Sequence, residues 1–215
     1  MGTAESPWNK EFVQFVIVSA ACVLGSYCFS SADQLVASKF FNVSYRDSLD
    51  AYSAAGILAR ALPTTAGPLL VVLFTHRSGR QHHDGLGDQL KLFGIYALGL
   101  IFGAVMLYLL RDFCLHLLHR DKPLAAGMVG HLAATMVFAG LIQALGMWSL
   151  ASRWLKVSLL YGALGLAYWL TLLCIGLTPP DLLHVMPIAL GVALAIMLVA
   201  WLNTMYRHHP PTPDL

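Results

Sequence analysis

Six times between Phe12 and Tyr206 the chain presents an apolar run of roughly 20 residues, the length that crosses a ~30 Å hydrocarbon layer as a helix. In lipid every backbone N–H and C=O needs a partner within the protein, so a spanning segment is a helix or part of a closed β-barrel. Barrel strands run about 10 residues and alternate apolar with polar, which these runs do not. The expected fold class is an all-α integral membrane protein, a bundle of about six transmembrane helices. Composition agrees: 58% of the residues are hydrophobic and 11% charged, against about 25% charged in a soluble domain.

In chain order the spans are placed at Phe12–Phe41, Leu49–Arg77, Gln89–Leu110, Leu124–Leu150, Trp154–Leu177 and Leu182–Tyr206. Residues 1–207 thus read as one six-helix domain, with 208–215 a short polar tail. The opening MGTAESPWNKEF lacks a basic region leading into a short apolar core with a cleavage site, so the first run is expected to be a retained span. Its first residues loosely fit a myristoylation pattern with Ser6, an anchor that adds little beside six spans. Between the third and fourth spans, RDFCLHLLHRDKP sets Leu115, Leu117 and Leu118 among charges and reads as a short interfacial helix. ASRWLK reads as a tight basic turn, and Thr178-Pro179-Pro180-Asp181 as a helix break. Six spans put both ends on one side. That side carries Lys10, Arg77, Arg80, Lys91, Arg153, Lys156 and Arg207; the other carries Lys39, Arg46, Arg111, Arg120 and Lys122. The excess points to cytoplasmic termini.

The second span departs from the rest. DAYSAAGILARALPTTAGPLLVVLFTHRSGR places Arg60 near the middle of an apolar run, with Pro63 and Pro68 close behind. A charge at membrane depth costs at least ~2.5 kcal/mol and faces the bundle interior or a wet cavity. Proline removes a backbone donor and kinks a helix. Two roles stay open for Arg60: a structural ion pair or a snorkelling side chain, or a grip on an anionic group of a substrate. In the first span SSADQ brings Asp33 and Gln34 either into the last turns of a long helix or to its outer end, as a solvated cap or as polar groups facing a cavity.

Other polar residues point less sharply to function. His82, His83 and Asp84 in a glycine-rich basic loop, and His116 with His119 at i, i+3, have partial metal-ligand character without an evident third ligand. No metal and no cofactor is assigned. His131 and Gln143, inside the fourth span, fit interhelical hydrogen bonds. Gly94, Gly99 and Gly103 recur at helical spacing and are expected to permit close helix packing. Asn42-Val43-Ser44 is formally a glycosylation sequon. Cys22, Cys28, Cys114 and Cys174 show no CxxC spacing, and no disulfide is read from them. A net charge of +2 gives no reason to expect a nucleic-acid partner.

The stretch from SADQLVASKFF through AYSAAGILARALPTTAGPLLVVLF to its basic loop resembles the start of the second half of polysaccharide flippases, in the superfamily that includes multidrug and toxin extrusion transporters. The matching features fall at Asp33, Tyr52, Ala54, Ala55, Arg60, Pro63, Gly67, Phe74 and Arg77. Thr75-His76 stands where family members usually show a proline before the basic residue. The resemblance covers roughly a third of the chain. It implies one lobe of a flippase-like fold in a bacterial inner membrane, binding a lipid-linked saccharide. Arg60 would attract the pyrophosphate of the polyprenyl carrier and Asp33 would be its counter-charge, with Tyr52 and Gln34 as further contacts. The implied partners are the lipid bilayer and a second lobe, either another copy or a partner half. Such a lobe needs no covalent chemistry. The alternative is a non-catalytic membrane subunit that scaffolds a larger complex through its small-residue faces. A membrane enzyme built on His116, His119 or His131 ranks last, since no convergent acid/base or nucleophile set accompanies them.

Overall fold

The computed structural model describes residues 10–40, 46–79, 86–118, 123–175 and 179–208. These residues form seven helices and no strand: α1 Lys10–Phe40, α2 Arg46–Gly79, α3 Leu86–Leu109, α4 Arg111–Leu117, α5 Pro123–Ala151, α6 Leu155–Cys174 and α7 Pro179–His208. Six are long and apolar enough to cross a membrane, and the seven-residue α4 lies between the third and fourth of them. The protein is an all-α membrane bundle.

Helix α5 is the axis of the bundle. It is apolar all round, as a helix enclosed by others must be, and it packs on α2, α7, α3 and α6. Helix α7 shows its inner face as a stripe at helical spacing: Leu182, Met186, Leu190, Ala193, Met197, Trp201 and Met205 are all buried. The Trp201 ring meets Trp148 of α5 edge-on at 6.2 Å and Phe93 of α3 at 6.0 Å. Helix α2 turns Ala51, Ala54, Ala55 and Ala59 inward and Ile57, Val71 and Val72 outward. Small side chains thus line its inner face, which lets helices approach where lipid supplies no hydrophobic drive for association.

The closest approach pairs α1 with α6. A Cβ at Gly165 would lie 2.7 Å from the Cα of Gly25, and one at Gly162 would lie 2.7 Å from the carbonyl oxygen of Ala21. Backbone therefore touches backbone. Nearby, the hydroxyls of Ser26 and Tyr161 are 2.7 Å apart, and the Cys22 thiol points at the Ser158 carbonyl at 3.6 Å. All four cysteines carry free thiols. Close packing was expected at Gly94, Gly99 and Gly103, and only the last takes part. Gly103 receives Leu62, whereas Gly94 and Gly99 have open space where a side chain would stand.

The helix ends decide between the placements left open by the sequence. SSADQ lies in the last turns of a long α1, which runs 31 residues, one of the two placements expected. The hydroxyls of Ser30 and Ser38 donate back to the carbonyls of Ser26 and Leu35 in their own helix, so these polar side chains need no outside partner. Helix α2 continues for 34 residues through Pro63 and Pro68. In the turn that Pro63 disturbs, Thr64 donates to the Arg60 carbonyl at 2.8 Å and Thr65 to the Leu62 carbonyl at 3.0 Å. Pro179 and Pro180 open α7 instead of standing outside it, because a first helical turn has no use for their missing donors. The sequon at Asn42, the His82-His83-Asp84 group, His119 and the tail after His208 lie outside the described residues.

The α5–α6 turn closes on a left-handed residue. Trp154 N–H donates to the Ser149 carbonyl at 2.8 Å and Arg153 N–H to the Leu150 carbonyl at 3.0 Å. This is the paired C-terminal cap in which glycine is usual, but Arg153 holds the position at φ 57°. Replacing Arg153 with glycine is expected to stabilise the fold by about 0.5–1 kcal/mol, read as a raised unfolding midpoint in detergent. Gly165→Leu forces α1 and α6 apart and should cost more than ~2 kcal/mol in the same assay. Gly99→Leu, at an open position, should stay within ~0.5 kcal/mol of the native chain.

Candidate functional site

Two of the charges singled out in the sequence meet. Arg60 Nη2 donates to Asp33 Oδ2 at 2.5 Å, with Asp33 1% exposed and the Arg60 side chain 17% exposed. Tyr52, two turns before Arg60 on the same face of α2, donates its hydroxyl to the same oxygen at 2.6 Å. Arg60 Nε donates to the Ser30 carbonyl of α1 at 3.0 Å. The Met186 sulfur of α7 lies 3.4 Å from the Tyr52 oxygen. Tyr168 of α6 is buried alongside, its ring 5.8 Å from that of Phe29. Four spanning helices thus contribute to one buried polar cluster.

Local sequence explains the geometry. A long helical side chain leans toward the N-terminus of its own helix, and Arg60 therefore lies back over the preceding turn. Gly56 occupies that turn; a Cβ there would sit 2.6 Å from Arg60 Nη1. Glycine at 56 leaves the guanidinium room to lie against α2 and face α1. Asp33 stands seven residues before the end of α1, about 10 Å into the helix at 1.5 Å per residue. The cluster therefore lies below the polar first turn of α2, within the spans.

The pair is only half engaged. Asp33 Oδ1 and Arg60 Nη1 are both buried and have no hydrogen-bond partner. A buried ion pair offsets its desolvation only where the remaining donors and acceptors are also satisfied, so these two atoms carry an uncompensated cost. The cluster presents an N–H fork suited to an oxyanion beside a carboxylate oxygen suited to a donor.

The other expected contacts lie elsewhere. Gln34 follows Asp33 by one residue, is exposed, and so faces away from the cluster. His131 is exposed, and its ring meets His184 of α7 edge-on at 6.0 Å. Gln143 is half-buried on α5. His116 is exposed on α4. Among the described residues no three His, Cys, Asp or Glu side chains converge on a common point. The sequence reading does not single out Gly56, Ser30 or Met186 as site residues; it marks Tyr168, with Tyr161 and Trp169, as an aromatic anchor at the membrane interface, whereas Tyr168 and Tyr161 are buried inside the bundle. A glycine one turn before a mid-span arginine was a visible signal; the Ser30 carbonyl and Met186 had none, because both reach the site through packing.

The fold and cluster define a helical membrane protein with an ion pair and a tyrosine buried between its spans. No protein-family model matches the chain, nor does any curated protein or any solved structure.

Removing one partner of the pair leaves the other charged and alone. Asp33→Ala or Arg60→Ala is therefore expected to destabilise the bundle by about 3–5 kcal/mol. The double replacement Asp33→Asn with Arg60→Gln should cost clearly less than the sum of the two. Unfolding by added denaturing detergent, followed by circular dichroism, measures both.

Proposed function

We propose that the chain is one lobe of a membrane transporter for a lipid-linked saccharide or polysaccharide precursor, working in a bacterial inner membrane with both termini in the cytoplasm. One observation carries this reading: a guanidinium buried among the spans, with Nη1 uncommitted beside an equally uncommitted carboxylate oxygen. A pyrophosphate would take Nη1 and compete with Asp33 for Nη2, since guanidinium binds phosphate oxygens in a two-pronged fashion. The Tyr52 hydroxyl would keep its bond to the displaced carboxylate, which otherwise stands in an apolar surrounding. Helices α1 and α2 touch little apart from this pair; α1 packs chiefly on α6 and α2 on α5. Exchange of the carboxylate for a phosphate would loosen the seam between them. Rocking transport turns one bundle against another around a site at their boundary, so a second lobe, another copy or a partner half, completes the device.

A second reading has its own support. Gly99 is exposed on α3 and, like Gly94, has open space where a side chain would stand, room in which a helix of a larger complex could pack closely. On this reading the chain is a scaffolding membrane subunit, and Asp33–Arg60 is a clamp between its first two helices.

The double variant Asp33→Asn with Arg60→Gln separates the two, since it removes both charges while leaving a polar side chain at each position. The transporter reading expects it to remain folded, to bind a polyprenyl pyrophosphate at least about tenfold more weakly, and to lose export of the lipid-linked glycan. Unchanged binding and export by a folded double variant, together with disassembly of a co-purifying complex by Gly94→Leu and Gly99→Leu, would establish the scaffold instead.

A further inference from the structure

On the outer side of the bundle α3 and α5 leave a groove of about 740 Å³ that shares no residue with the Asp33–Arg60–Tyr52 cluster. Most of its wall is apolar, with Ile101 and Val105 from α3 facing Ala134, Phe138 and Leu141 from α5. Glycines widen one end. A Cβ at Gly127 would meet nothing within 4 Å, and one at Gly130 would press on the Tyr108 ring at 3.0 Å. From Gly127 to Leu141 helix α5 rises about 21 Å, enough for an acyl chain that fills one leaflet, half of the ~30 Å hydrocarbon core.

The wide end is cationic. Arg111 stands there at the junction of α3 and α4, just past the stretch Leu90–Leu109 that crosses the membrane. Its guanidinium lies over the Tyr108 ring, 4.7 Å from the centroid. Among the described residues, the exposed Asp112 faces Arg111 Nε at 3.8 Å, beyond hydrogen-bond length. His131 lines the groove one turn of α5 further in than Gly127. The order along the groove is therefore cation at the boundary of the hydrocarbon, then a polar ring, then a long apolar trough.

The geometry points to a binding site for an anionic phospholipid of the surrounding bilayer. Its phosphate sits on Arg111, its glycerol esters lie level with His131, and one acyl chain follows the trough to Leu141. The charge at the mouth selects this occupant. A wholly apolar helix from another subunit would fill the trough and leave Arg111 without an anion, whereas an anionic lipid satisfies both ends at once. The site stands independently of the transport reading, because it lies on different helices and needs no polyprenyl carrier.

Native mass spectrometry of the full chain, released from micelles with phosphatidylglycerol and phosphatidylcholine added in equal amounts, tests the assignment. The native chain is expected to retain phosphatidylglycerol about fivefold over phosphatidylcholine, the factor one basic residue contributes at an anionic membrane surface. Arg111→Gln should abolish the preference, and Ala134→Phe should lower retention of both lipids by obstructing the trough. Arg46→Gln, a change to an exposed cation on another helix, should leave the preference as it was. Arg111 is partly exposed and Ala134 exposed; unchanged helical circular dichroism and elution volume establish that the variants are folded. Equal retention of the two lipids by the native chain, or an undiminished preference in folded Arg111→Gln, would overturn the proposal. So would displacement of phosphatidylglycerol by an equimolar polyprenyl phosphate, which would give the groove to the carrier lipid.

Discussion

A guanidinium cannot rest in hydrocarbon without a counter-charge or water, and the first two helices of this protein are arranged around that fact. Arg60 finds Asp33 on α1 and the Ser30 carbonyl beside it, while Tyr52 helps to hold the carboxylate. The arrangement draws on features that look unrelated in the sequence. Gly56 clears the path for the side chain, the inward alanines bring α2 against α5, and the polar first turn of α2 leaves the pair a short distance inside the spans. The charges cancel, but hydrogen bonding is incomplete, because one nitrogen and one oxygen remain without partners. For a purely structural tie that is a poor solution, since every unsatisfied buried polar atom detracts from the benefit.

The bundle has two tight contacts of different kinds. Between α1 and α6, glycines let backbone touch backbone. Between α2 and α5, alanines and larger residues interdigitate over a long face. The polar cluster joins α1 to α2 where side-chain packing between them is sparse. A change in the charges there would act on the seam between two well-packed units and leave the interior of each intact. Helix α5 touches both units and passes through the middle of the bundle, so it ties them together.

Much of the fold was legible in the sequence because span length depends on bilayer thickness alone. All six spans stand within about a turn of their expected positions at most ends, and the short helix at Arg111–Leu117 falls where charges interrupt leucines. Which face of each span points inward was not legible. Lipid is as apolar as a protein core, so α5 and α7 show little asymmetry in hydrophobicity, and the inner stripe of α7 is recognised only from burial. The same limit explains the misplaced glycine contact: Gly94, Gly99 and Gly103 have helical spacing, but spacing does not say whether a partner helix stands opposite. In the polar cluster, charge type and position sufficed to single out Asp33 and Arg60, whereas Tyr52 entered only through the family resemblance. Gln34 was grouped with Asp33 by adjacency, although neighbours on a helix point about 100° apart, and it faces outward.

The sequence separation of the ion pair bears on how the protein enters its membrane. Asp33 and Arg60 are 27 residues apart, whereas Ser26 and its α6 partner Tyr161 are separated by 135. As the chain emerges from the ribosome, α1 and α2 arrive together, long before α6 exists. An aspartate and an arginine that would each resist partitioning into lipid can meet in the α1–α2 pair and enter as a neutral couple. The glycine contact with α6 is then added to two helices whose charges are already matched.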